Sequence, residues 1–139
     1  MPRGAARTAN AAPVTAALAA RARRRVVALG VRAAEARERW NRLLSTFGTH
    51  DEAKAQATLG LADIALQEGK AQEAIRLFQE VADSGADRFF QAQAGVGWGQ
   101  SLLAAGESSQ AADQFESVIR DFEDHPEFTE MAKAALSGL

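Results

Sequence analysis

The two histidines of the chain each sit among acids, in Thr49-His50-Asp51-Glu52 and in Glu123-Asp124-His125-Pro126-Glu127. An imidazole beside carboxylates is the raw material of a metal site or a general base. A helical metal pair, however, places two ligands four residues apart on one face, and neither histidine has a second one at that spacing. Both read as loop residues at helix boundaries. There is no cysteine, which excludes a disulfide framework, a thiolate metal site and a cysteine nucleophile. The eighteen Asp and Glu residues fall on polar faces and in helix first turns, where negative charge suits the helix dipole. Gly95-Val96-Gly97-Trp98-Gly99 superficially resembles a phosphate-binding loop. A dinucleotide site needs a strand before that loop, and this run lies in the middle of a helical pattern, where Gly99 has a packing reason to be small. No catalytic residue, metal site or cofactor site is assigned, and the expectation is a protein that is not an enzyme.

The elements that would position any site are helices. The 139 residues suit one domain, rich in Ala, Leu, Gln, Glu and Arg, without Tyr and with only three prolines. Charge divides the chain sharply. Residues 1–34 carry seven arginines (Arg3, Arg7, Arg21, Arg23, Arg24, Arg25 and Arg32) and no acid, whereas residues 35–139 carry nine basic against eighteen acidic residues, a net −9. The boundary predicted near Val31 to Glu35 separates a basic Arg/Ala-rich arm, partly helical or disordered, from a folded body over 35–139. Such an arm has three readings: a solvated or vestigial extension, a targeting segment, or a contact to nucleic acid or an anionic membrane through Arg21, Arg23, Arg24 and Arg25. The longest uncharged run after the arginine cluster, Val26 to Val31, is far below the roughly 20 residues needed to span a bilayer.

Within the body one pattern occurs twice. Leu61-Ala62-x2-Ala65-x3-Gly69-x4-Ala74-x3-Phe78-x2-Val81 returns 37 residues later as Trp98-Gly99-x2-Leu102-x3-Gly106-x4-Ala111-x3-Phe115-x2-Val118. Small residues at 62/99 and 74/111 allow two antiparallel helices to approach closely. The phenylalanines fill the wider gap, and Gly69 and Gly106 end the first helix of each pair. The predicted helices run from about 52 to 67 (entered through Thr49 or Asp51 as a cap), 71 to 83, 88 to 104, 108 to 122 (started by Ser108-Ser109), and 127 to 137. A further helix at about 32–44 is predicted to cover one end of the stack and the 127–137 helix the other.

These residues resemble the tetratricopeptide repeat. The resemblance covers roughly Glu52 to Gly138, with Leu61 and Ala62, Gly99, Ala74, Ala111 and both phenylalanines matching, and with Ala65 and Leu102 where the family prefers Tyr. The expected fold is an all-α, TPR-like α-solenoid: two helix-turn-helix repeats (about 52–86 and 88–123) plus flanking helices. The usual unit has 34 residues, so the three extra ones are placed in the Asp83–Asp87 connection. The closing stretch Val118-Ile119-Arg120-Asp121-Phe122-x3-Pro126-x5-Ala132-x3-Leu136 also resembles the last repeat of bacterial envelope proteins of this type.

The resemblance implies that function lies on a groove formed by the first helix of each pair, at Gln56, Leu59, Asp63 and Gln67 and at Gln93, Val96, Gln100 and Leu103. This mixed amide and apolar surface suits a peptide or helix of a partner protein. The expectation is thus a protein-binding scaffold, with a homo-oligomer as one form it could take. The alternative is a subunit of a nucleic-acid or ribonucleoprotein assembly whose arm contacts phosphates. The compartment is left open, the cytoplasm standing slightly ahead of a bacterial envelope or an organelle.

Overall fold

A computed structural model describes the backbone of residues 2–139 and the side chains of residues 16–25 and 30–139. The side chains of Arg3 and Arg7, counted in the basic arm, lie outside the described residues, as does most of the uncharged run from Val26. Among the described residues six helices follow one another: α1 (Pro2–Phe47), α2 (Asp51–Gln67), α3 (Ala71–Ala82), α4 (Arg88–Ala104), α5 (Ser108–Asp121) and α6 (Pro126–Ser137). No strand occurs among the described residues, and none of these helices is long and apolar enough to cross a membrane.

The arm and the expected helix at 32–44 are one continuous α1. Neither Gly nor Pro occurs between Val31 and Phe47, and Ala, Arg, Glu and Leu all sustain helix. The chain nevertheless divides into two compact units, Met1–Glu35 and Ala36–Leu139, and α1 crosses the division. In the first unit, Leu18 and Val31 are more than half exposed, and Arg21, Arg23, Arg24 and Arg25 face solvent.

In the second unit the repeat has a clear physical basis. Gly69 and Gly106 adopt φ of +78° and +82°, the left-handed conformation that only glycine enters cheaply. Around each, the chain closes the same cap: Gly69 N–H donates to Leu66 and Lys70 N–H to Ala65, as Gly106 donates to Leu103 and Glu107 to Leu102. The helix starts are less well capped than the sequence suggests. His50, not Thr49 or Asp51, is the cap residue of α2 and makes no side-chain bond. Glu107, not Ser108, precedes α5, again without a side-chain bond to the helix's free amides. Asp87 does cap α4, accepting from Phe89 N–H at 2.9 Å, and Pro126 opens α6 in the first turn, where its missing N–H costs nothing.

Helix α4 lies at the centre, packed against α2, α3, α5 and α6. Its glycines make this possible. A Cβ on Gly97 would overlap the Phe78 ring of α3, one on Gly99 would overlap the Phe115 ring of α5, and one on Gly95 would come within 2.8 Å of Val118. Phe78 belongs to a core cluster with Leu59, Ala62, Ala74 and Val81. Phe115 belongs to a second, with Val96, Leu102, Ala111, Val118 and Phe128. Burying each ring stabilises the fold by about 1.5–3 kcal/mol.

The end of α1 repeats this arrangement. The Trp40 ring lies against Gly60 on α2, and Gly60 stands 37 residues before Gly97. Arg37 forms an ion pair with Glu68. Residues 36–47 thus precede α2 as α3 precedes α4. They are the second half of a repeat, a closer description than an end cover.

Candidate protein-binding faces

On α2 and α4, residues three and four apart line one face. The structure places Gln56, Asp63 and Gln67 on the exposed side of α2 and Gln100 on that of α4, with Gln93 and Leu103 half-buried. Gln56 and Gln93 are register partners, as are Asp63 and Gln100. Leu59 and Val96 are not on this surface. They are 4 % and 2 % exposed and belong to the two core clusters. At 3.6 residues per turn each is rotated about 60° from the glutamine three positions before it, enough to turn the side chain toward the neighbouring helices. Surrounding protein crowds the Asp63 carboxyl and pushes its pKa above the usual carboxylate value, while the residue as a whole remains open to solvent.

The sequence reading missed an exposed aromatic residue. Phe89, at the start of α4, is 41 % exposed and packs edge-on against Phe128 of α6, with ring centroids 5.1 Å apart, and against Phe90 at 5.6 Å. Two adjacent phenylalanines at a helix start were the available signal. His125 stands beside this cluster, at 6.0 Å from the Phe89 ring. Like His50, it occupies the position just before a helix, and among the described residues no group of three His, Cys, Asp or Glu could hold a metal. Arg88 next door locks α4 to the α5–α6 connection. Its Nε and Nη2 donate to the two oxygens of Asp124 at 2.9 and 2.8 Å and Nη2 also donates to the Asp121 carbonyl, while the guanidinium sits 4.9 Å from the Phe122 ring centroid. The guanidinium holds the Asp124 carboxyl down at about 2.

A second concavity lies elsewhere. Helices α3 and α5 both pack on α4 but not on each other, which leaves a trough of about 480 Å³ between them. Trp98 and Leu102 of α4 form its floor with Ile75. Gln72 and Gln79 of α3 and Gln110 and Gln114 of α5 stand on its walls, with Glu107 and Asp113 as its acids. Its signal in the sequence is the run of amides at helical spacing on the second helix of each pair. A smaller hollow of about 250 Å³ opens between the start of α2 and the end of α3, lined by Asp51, Lys54, Thr58, Glu80 and Ser84 among others.

Arg21, Arg23, Arg24 and Arg25 belong to the first unit and are exposed there. No curated protein and no solved structure matches the chain. Residues 30–88 match the family model described as tetratricopeptide repeat. The match covers the half-repeat of α1, all of α2 and α3 and the first residue of α4, and does not reach the closing segment from Val118 that carries the envelope resemblance. With this match and the 37-residue copy that follows it, the chain is a tetratricopeptide repeat-like protein, built as an all-α helical repeat.

Proposed function

We propose that this chain is a non-enzymatic module that holds a segment of a partner protein across the exposed face of α2 and α4, in keeping with the protein–protein interaction that tetratricopeptide repeats generally mediate. The observation carrying the reading is the pair of register partners Gln56/Gln93 and Asp63/Gln100, which line up polar groups across two adjacent helices above a glycine-tightened core. Carboxamides both donate and accept, so such a row can satisfy the backbone of an extended or helical segment. Phe89 supplies the apolar anchor at one end, in place of Leu59 and Val96, which are committed to the core. Leu103, half-buried, borders the face.

The test is a capture experiment with the full chain. A partner recovered by the native protein is lost with Gln56→Arg combined with Gln100→Arg, and retained with Ser109→Arg, which places the same charge on an exposed position of α5. Retention by the first variant sinks the reading.

A further inference from the structure

The trough between α3 and α5 and the arginines of α1 are opposite in charge and matched in chemistry. The trough has an apolar floor of Trp98 and Leu102 and carries Glu107 and Asp113, neither of which pairs with a cation among the described residues. The only hydrogen bond to the Glu107 carboxylate among them comes from the uncharged Gln110 amide. Arg76 of α3 and Arg120 of α5 are not part of the lining, and Arg120 is engaged with Asp121 and Ser117.

On α1, Leu18, Arg21 and Arg25 follow at helical spacings of three and four, so they form one stripe. Leu18 is 58 % exposed and both arginines are exposed. No ion pair among the described residues involves Arg21 or Arg25, and residues 1–34 contain no acid that could supply one.

We propose that the Leu18–Arg21–Arg25 stripe of α1 from a second copy of this chain occupies the trough between α3 and α5, so that copies associate head to tail. Leu18 meets Leu102 and the indole edge, a guanidinium stacks on the Trp98 face, and Arg21 and Arg25 pair with Glu107 and Asp113. The net −9 of residues 35–139 against the +7 of residues 1–34 favours the encounter over that of two like surfaces. Each copy offers one stripe and one trough, so the contact is heterologous and extends to rings or chains. This surface is distinct from the α2–α4 face, and the two readings stand or fall separately.

Sedimentation velocity on the full, nuclease-treated protein tests the proposal. The native chain sediments as an assembly in low salt and dissociates as salt shortens the screening length from about 10 Å at 0.1 M to about 3 Å at 1 M. Arg21→Gln with Arg25→Gln, or Glu107→Gln with Asp113→Gln, each weakens association about tenfold, through lost ion pairs and cation–π contact, with helicity by circular dichroism unchanged. Mixed in equal amounts, the two variants recover native-strength association but stop at a heterodimer, because only one intact stripe meets one intact trough. A native chain that is monomeric in low salt overturns the proposal, as does assembly that disappears on nuclease treatment, a variant pair that assembles like the native chain, or a mixture no tighter than its components.

Discussion

The ring of Phe78 on α3 lies so close to the backbone of Gly97 on α4 that no Cβ fits between them. This contact joins the first repeat to the second, and the ring is 2 % exposed. Gly97→Ala forces the ring out of place, and overpacking of this kind costs about 1–3 kcal/mol, against the gain that Ala ordinarily brings to a helix interior. Phe78→Leu in the Gly97→Ala background recovers part of the loss although Phe78→Leu alone destabilises, so the two changes are non-additive. Urea unfolding of the four proteins measures this; simple additivity refutes the contact.

The same relationship between Trp40 and Gly60 makes α1 part of the repeat stack. Gly60→Ala displaces the indole toward water. In a Trp98→Phe background, where Trp40 is the sole tryptophan, the emission maximum moves to longer wavelength and the melting temperature falls. An unshifted spectrum means that residues 36–47 are not docked on α2.

The repeat was legible because its signals are local and recur: glycine where φ is positive, a small residue where helices touch, phenylalanine beside it. All five predicted body helices after α1 match the observed ones to within a residue at each end. The face was less legible. Leu59 and Val96 follow the polar positions at the three-residue spacing that keeps side chains near one helix face, and only the packing of neighbouring helices decides that they turn inward. The trough was less legible still, for a related reason, although its amides recur at helical spacing. It exists because α3 and α5 fail to touch, a relation between helices that no single segment encodes.

Gly69 and Gly106 have a conformational role that Gly30 does not. Gly69→Ala and Gly106→Ala place a side chain at positive φ and cost about 1 kcal/mol or more. Gly30 lies inside α1 with nothing within 4 Å of its would-be Cβ, so Gly30→Ala stabilises by about 0.5–1 kcal/mol. Thermal unfolding of the three variants gives opposite signs for the turn and helix positions.

The Arg88–Asp124 pair makes stability depend on acid. The folded Asp124 carboxyl lies at about 2, below its ordinary 3.8. A depressed carboxyl contributes stability above the unfolded value and loses it as pH falls through the folded one. The melting temperature of the native protein therefore exceeds that of Asp124→Asn above pH 4, and the gap narrows between pH 4 and pH 2. Both groups are exposed, so the gap is small at neutral pH and smaller still in high salt.

Asp63 works in the opposite sense. Its carboxyl is pushed above 3.8 because surrounding protein disfavours the charged form. A raised carboxyl binds protons more tightly folded than unfolded, so the ionised group destabilises the fold at neutral pH, and the penalty disappears once the pH drops below the unfolded value. Asp63→Asn keeps the shape and removes the charge, so it melts slightly above the native protein at pH 7 and level with it near pH 3. Asp63 also stands on the α2–α4 face, so the same substitution reports on binding. A partner segment that is itself basic loses affinity with Asp63→Asn while the protein gains stability, which separates a lost contact from a damaged fold. A drop in both stability and affinity would instead mark Asp63 as a structural residue and remove it from the face.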